Sequence, residues 1–561
     1  MTERDPSIGA DGLTRRDRDL IRDVLARYPD VRRVTLFGSR AMGTFGRGSD
    51  IDLSLEGPDL DSPTLTRIAT ELEDSDLPYK VDLLLRDGHL EPKLEAHIRR
   101  YGKPFGWKQT TLGALGDASR NAIVGGPFGS NLVSNDYADQ GVPVIRGQNM
   151  GFGRWVSGEF VFVSDAKADS LRANLARPGD VVFTQRGTLG QVAMVPSGPW
   201  VRYVVSQSQM KATIDSQKAD TRYVYYVFSN PAEKEYIAAN AIQTNVPHTN
   251  LTRLRLHPIS LPPLEEQRAI AGALGALDDK IEQNRRTAQA LERLARAIFR
   301  AWFVDFEPVK AKATGAAAFP SMPQQVFDAL PTRFVDSEVG PVPEGWEVKA
   351  IGDVVSVKGG GTPSTKNPEY WEGGVHCWAT PKDMSRLSHP VLLDTERRIT
   401  DAGVDCISSG VLPVGTVLMS SRAPVGYLAI AGVRTAINQG FIAMVCDGTL
   451  PPVYVFNWAF TSMDTIKAHA SGTTFAEISK KTFRPLPIVE PTGDAIAAYQ
   501  QVAEPLFVLL TGYVNENVHL AEMRDYLLPK LISGELRVCG LKKTIPGDGQ
   551  REVDCDARMQ P

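Results

Sequence analysis

Two stretches of this chain are weak copies of each other, and that limits its fold more than any other feature. Trp107, Leu112 and Gly113 recur at one offset as Trp346, Ile351 and Gly352. Arg186 and Gly190 recur as Arg422 and Gly426, inside glycine-bearing turns. Arg255, Ile259 and Pro262 recur as Arg484, Ile488 and Pro491, where each copy turns helical. A globular unit followed by a long helix, written twice, predicts a pseudo-twofold molecule that makes one kind of contact at two places. Such a molecule suits a target split into two parts.

The helices are read from spacing. Over 264–303, Ile270, Leu274, Leu277, Ile281, Ala288, Leu291, Ala295, Ile298 and Trp302 alternate by four and three, with Asn284 in the stripe. The later copy carries Ile496, Tyr499, Ala503, Leu506, Leu510, Tyr513, Leu520, Leu527 and Leu531, with Asn517 in its stripe. Arg524 spoils one position there, and Pro505 is expected to kink or delay the helix. The stripes predict an antiparallel pair about 50–60 Å long at ~1.5 Å per residue. Asn284 and Asn517 would fix its register, because a slipped pairing strands a buried amide.

At 561 residues the chain has room for three or four domains. Its 42% hydrophobic and 23% charged residues are those of a soluble globular protein. The best apolar run, 506–514, is too short for a bilayer, and the polar, acidic start is no signal peptide. Five scattered cysteines without metal-ligand spacing read as free thiols, so the expected location is cytoplasmic. A net charge of −4 argues against a general nucleic-acid coat, yet it allows local basic residues in a cleft.

Helices at 14–28, 64–73 and 91–101 and strands at 31–37, 51–55 and 80–85 predict a small α/β domain over 1–104. Short β-branched runs at 142–145, 160–163, 180–184 and 203–206, with a helix at 221–228, make 107–262 β-rich. The pattern returns in 346–491, for example at 411–420 and 440–445. The remaining segments are a central helix (263–306), an Ala/Pro/Gly-rich linker (307–345), a C-terminal helix (492–537) and a disordered tail (538–561).

Chemistry concentrates in the first hundred residues. Gly38-Ser39 precedes Asp50-Ile51-Asp52 by ten residues, and Asp82 lies in a further strand. A tight Gly-Ser turn can hold triphosphate oxygens. Asp50 and Asp52, two apart on one strand, share a face and can hold Mg²⁺. Asp82 can complete a two-metal site and accept the proton of an attacking hydroxyl. The alternative is that the two Asp merely flank a turn.

Residues 15–100 resemble the minimal nucleotidyltransferase domains of the polymerase-β-like superfamily at Gly38, Ser39, Asp50, Asp52 and Asp82. The resemblance implies Mg²⁺, a nucleoside triphosphate, and nucleotide transfer onto a hydroxyl of unknown acceptor.

Leu261-Pro262-Pro263-Leu264-Glu265-Glu266-Gln267-Arg268, Leu277-Asp278-Asp279-Lys280-Ile281 and Ala301-Trp302-Phe303-Val304-Asp305-Phe306 are motifs by which residues 107–537 resemble the specificity subunit of type I restriction–modification systems. Val342-Pro343-Glu344-Gly345-Trp346 and 527–536 also belong to it, whereas Pro491-Thr492-Gly493-Asp494 departs from the usual Pro-Leu-x-x-Gln. The fold class implied is α+β multidomain: a small mixed-sheet nucleotidyltransferase domain, then two β-rich α/β target-recognition domains separated by a long antiparallel coiled-coil pair. Each recognition domain would read half of an interrupted site in double-stranded DNA, with the helix pair as ruler. Two adenine-N6 methyltransferase subunits using S-adenosylmethionine, and ATP-dependent translocase–nuclease subunits, would be the partners. The specificity part itself would need no cofactor.

Major-groove reading favours Arg, Lys, Asn and Gln. Candidates in the first copy are Arg146, Gln148, Asn149, Arg186, Asn245 and His248. Those in the second are Lys366, Lys382, Arg422, Asn438, Gln439 and Lys480. Residues that differ between copies are the better readers, which favours Arg146, Gln148 and Asn149 over shared positions. Three readings stand side by side: a DNA-specificity subunit fused to a nucleotidyltransferase, a nucleotidyltransferase that uses the repeats as a targeting scaffold, and a structural coiled-coil protein.

Overall fold

The computed structural model describes residues 11–536 and 538, except 29, 32, 47, 58, 87–89, 152, 243–245, 423 and 473–475. The expected tail at 538–561 thus lies, apart from Val538, outside the described residues. The chain divides into two compact units, 1–279 with 521–561, and 280–520.

The first unit opens with the predicted α/β domain. Thr14 caps helix Arg15–Leu25 in a reciprocal capping box with Asp17, so two orphan amide donors are met at once. Strands Val81–Leu85, Ile51–Glu56, Arg33–Phe37 and Lys103–Pro104 lie side by side in that order. Ile51, Leu53 and Leu55 enter a core with Ile21, Val24, Leu36, Ile68 and Leu72. The strand period of two therefore turns Asp52 to the opposite face.

The β-rich domain of this unit is closed at its base by Lys108–Thr111 paired antiparallel with Pro258–Leu261. One sheet runs Val192–Met194, Val181–Thr184, Gln209–Ala212, Ile123–Gly125. In a second, Tyr203–Val205 runs parallel to Val142–Ile145, which pairs antiparallel with Val161–Val163. Helix Thr221–Ser229, capped by Asp220, buries Tyr223, Tyr226 and Phe228. These share one core with Ile270, Ala271 and Leu274 of the central helix and Leu528, Leu531 and Ile532 of the C-terminal helix.

The second unit repeats this plan. Glu347–Ala350 closes on Pro487–Glu490. The sheet order Leu428–Ala431, Val417–Ser420, Phe441–Val445, Ser356–Lys358 is that of the first unit, with Val391–Leu392 added at one edge. Thr435–Ile437 runs parallel to His376–Ala379, which pairs antiparallel with Arg397–Ile399. The strand expected at 411–420 begins only at Val417, because Pro413 and Gly415 (φ +88°) turn the chain first.

The helices are Leu264–Phe303 and Gly493–Ser533. In the second unit Asn284 meets Asn517, and Phe299 and Trp302 meet Tyr499, so following one helix forward follows the other backward. In the first unit Asp278 meets Arg524. Three expectations are corrected here. The C-terminal helix starts at Gly493 and continues unbroken through Pro505. A helix-interior proline costs about 3 kcal/mol. Buried Tyr499, Ala503, Phe507 and Leu510 on either side offset it, at about 1.5–3 kcal/mol for each large side chain. Arg524 is no flaw in the stripe, since Asp278 answers it at 2.9 Å. The stripe also drifts: Asp278 and Phe299 are buried while Leu277 and Ile298 are only half-buried, as 3.6 residues per turn slides against a 3.5 repeat.

The segment read as a linker is folded. It forms helices Glu307–Ala313 and Gln324–Ala329 and the pair Phe334–Val335 with Val342–Pro343. Val309, Phe327, Leu330 and Val342 enter the core of the second unit, so apolar residues hidden in an Ala/Pro-rich stretch decided the matter.

Asp278, 9% exposed, accepts from the Tyr226 hydroxyl at 2.7 Å and from Arg524 at 2.9 Å, while Arg154 reaches Tyr226 and Asp279. Removing a partnered buried charge strands the others. Asp278→Ala is expected to cost about 2 kcal/mol or more in urea unfolding, and the Asp278→Leu, Arg524→Met double variant clearly less.

Candidate functional site

On the N-terminal sheet the charges of Asp82 and Asp50 reach Asp52. Asp52 pairs with Asp82 across the parallel ladder and with Phe37 across the antiparallel one. Asp50, two residues back, is exposed at the strand's entry. Gly38 follows Phe37 with φ +69°, and a Cβ there would land on the Asp52 carboxylate. Only glycine allows the turn to pass so close to that acid. Ser39 follows in the short helix Gly38–Met42.

Arg40, which sequence reasoning missed, holds this arrangement. It is 1% exposed and donates to the Ser49 carbonyl at 2.7 Å, the Asp50 carbonyl at 3.1 Å and the Asp11 carbonyl at 3.0 Å. Its guanidinium lies over the Tyr79 ring at 4.3 Å. In the sequence it is one Arg among many, and only the ring of acceptors sets it apart.

Burial, and then the Asp82 and Asp50 charges, push the Asp52 carboxyl above its ordinary value, with Arg40 and His97 pulling the other way. Lys80 already sits on Asp82 at 2.6 Å. Among the described residues no three His, Cys, Asp or Glu side chains converge into a ready cage. A carboxylate crowded by the Asp82 and Asp50 charges fits Mg²⁺, which takes one or two protein carboxylates and keeps waters or phosphate oxygens.

The second set of candidates gathers at strand ends. In the first unit, Val142–Ile145 and the parallel Tyr203–Val205 both end there, leading to Arg146 and Gln207. Arg186 follows Val181–Thr184, and its amide and that of Gln185 donate to the Ser208 carbonyl. In the second unit, His376–Ala379 and the parallel Thr435–Ile437 lead to Lys382 and to Asn438 and Gln439. Arg422 follows Val417–Ser420, and Ser421 donates to the Gly440 carbonyl.

The turn 146–149 is the counterpart of 380–383. Asn149 Oδ1 accepts from Arg146 N at 3.0 Å, and Asp383 Oδ2 accepts from Thr380 N at 2.8 Å. This corrects the reading of Asn149. It is fully buried, and its amide donates to the Ser157 and Glu159 carbonyls, so it caps a turn. Arg146 is half-buried, and Gln148 is exposed with a long bond to the Glu159 carbonyl.

Other candidates are partly committed. Lys382 pairs with Glu396 at 3.0 Å. Asn438 Oδ1 accepts from Gly440 N, and Gln439 accepts from Thr362. Lys480 covers Gly359. Lys366 is exposed, and none of the described hydrogen bonds ties it to the cluster. Asn245 lies outside the described residues. Arg186 forms a β-bridge with His248, and Arg422 one with Glu477, a residue sequence reasoning did not single out.

The family profile described as type I restriction modification DNA specificity domain matches residues 131–293 and 343–502. That described as polymerase beta, nucleotidyltransferase, matches 19–106. The chain is 25% identical over 473 residues to the type I restriction enzyme HindI specificity subunit of Haemophilus influenzae, covering 77% of this chain and 99% of that one. It is 37% identical over 202 residues to the MjaIX specificity subunit of Methanocaldococcus jannaschii, covering 36% and 45%. A solved S subunit of a type I system from M. genitalium aligns over 76% of this chain and 96% of its own, with 15% identity and a TM-score of 0.45.

The Asp52 shift has a testable sign. A carboxyl raised in the folded state weakens the fold once ionised, so the penalty is absent below the ordinary value of 3.8 and builds as pH rises through the folded value. Asp52→Asn is expected to stabilise the N-terminal domain at pH 7. That gain should shrink as pH falls toward 3.8, read by hydrogen exchange across the strand Ile51–Glu56.

Proposed function

The chain belongs to the type I restriction–modification DNA specificity family, and from that premise we propose that its two strand-end loop faces read the two halves of an interrupted DNA site. The observation that carries the reading is the repeated frame: the same strand order and the same turns, with different side chains at their tips. A shared frame with divergent tips gives one binding mode and two sequences. The paired helices would set the spacer between the halves. Two adenine-N6 methyltransferase subunits and ATP-dependent translocase–nuclease subunits would dock on the helices. Val508 and Leu509, beside buried Phe507 and Leu510, leave apolar surface there. No described helix is long and apolar enough to cross a membrane.

The N-terminal domain is a nucleotidyltransferase domain by its family match. For it we propose nucleotide transfer onto a hydroxyl. Gly38 and Ser39 would hold phosphate oxygens, and Asp50 and Asp52, with Asp82, would hold Mg²⁺. Bound there, Mg²⁺ would neutralise the charge developing on the phosphates. The acceptor oxygen forms a bond to the α-phosphorus, the bond to the β-phosphate oxygen breaks, and pyrophosphate leaves. The hydroxyl proton passes to Asp82, whose partner Lys80 would have to swing away.

Two measurements separate these activities. Genome-wide mapping of methylated adenines, with and without the full chain in cells holding its methyltransferase partner, should show one two-part motif that depends on it. Methylation at scattered adenines contradicts the specificity reading. With α-labelled ATP and Mg²⁺, label should pass to a protein or RNA acceptor and fall at least about a hundredfold in Asp50→Ala or Asp52→Ala, with the methylated motif unchanged. Equal labelling by wild type and both variants contradicts the enzymatic reading.

A further inference from the structure

Beside the shared arginines, the two copies differ in side chain at one backbone position. Arg186 bridges His248 and Arg422 bridges Glu477. The surrounding main chain repeats bond for bond. Thr249 N donates to the Gln185 carbonyl at 3.0 Å, and Ile478 N donates to the Ser421 carbonyl at 3.0 Å. Ile242 closes a second bridge on His248, and Ser471 closes one on Glu477. Two residues on, Asn250 caps helix Leu251–Leu256 and Ser479 caps helix Lys480–Phe483. His248 and Glu477 are therefore the same position in the two units. Their backbones are fixed alike, and their side chains offer different hydrogen-bonding edges.

This is the arrangement needed to tell two half-sites apart, with a shared cation beside a residue of divergent chemistry. Arg422 Nη1 lies 3.9 Å from Glu477 Oε2, so that pair presents a guanidinium fork and an acceptor-only carboxylate side by side. The fork matches guanine O6 and N7, and the carboxylate matches an exocyclic amine such as cytosine N4. In the first unit an imidazole, which can accept or donate, replaces the carboxylate. Asn149 and Asp383 show the opposite case, where the corresponding polar residues serve the fold and carry no message.

We propose that His248 and Glu477 are corresponding base-discriminating residues, each reading a base next to the one contacted by its arginine. The inference rests on the reading that the strand-end loops face DNA. It goes further by assigning Glu477 to an amine-bearing base edge in one half-site and His248 to the matching position of the other.

The test uses the full chain with its methyltransferase subunits and maps methylated adenines in wild type, Glu477→Gln and His248→Gln. Glu477→Gln turns an acceptor-only group into one that also donates. Methylated sites with a changed base at one position of one half should rise on the order of tenfold, with the other half unaltered. His248→Gln should do the same in the opposite half. An unchanged motif in either variant, a change in both halves from one variant, or loss of methylation at every site would overturn the assignment, since a lost reader relaxes one position. A wild-type chain that directs no two-part motif would instead overturn the underlying reading.

Discussion

The molecule depends on a polar contact inside an apolar seam. Asn284, 1% exposed, donates to Asn517 Oδ1 at 3.0 Å and to Glu516 at 2.9 Å, and Asn517 donates to the Ile281 carbonyl at 3.2 Å. Alanine and leucine around them would pack nearly as well one turn away. The amides would not, because each left unanswered costs about 1–3 kcal/mol. Register is thus bought with a little stability.

Within each unit a β-rich domain is fastened to the helices by different chemistry. In the first unit, Arg154, Tyr226, Asp278 and Arg524 form a hydrogen-bonded charge network. In the second, rings do the work: Phe299 and Phe303 meet Tyr454 at centroid separations of 5.0 and 4.9 Å, and Phe303 meets Tyr499 at 5.1 Å. Packing of either kind holds the same sheet order beside its helix. The copies have therefore diverged in core and loop tip while keeping their frame, and the frame is what lets His248 and Glu477 be compared at all.

Much of this was legible in the chain. Helical spacing located both long helices, and the Gly-Ser turn with Asp50, Asp52 and Asp82 located the carboxylate face, because periodicity and local turns are sequence-near properties. What depended on partners distant in sequence was not. Arg524 looked like a flaw until Asp278 stood opposite it. Pro505 looked like a break until burial on both sides held the helix. Arg40 gained meaning only from three carbonyls, and Asn149 lost its place as a reader only when its amide was found spent on the turn. Glu477 carried no signal at all before its bridge to Arg422 paired it with His248.

The seam contact is tested most directly by a double-mutant cycle on the intact chain, with Asn284→Ala, Asn517→Ala and the pair compared in urea unfolding of the second unit. The account predicts a coupling of about 1 kcal/mol, with the double variant less damaged than the two single losses added together. Additivity within about 0.3 kcal/mol would mean that the two amides do not depend on each other, and register would have to come from elsewhere.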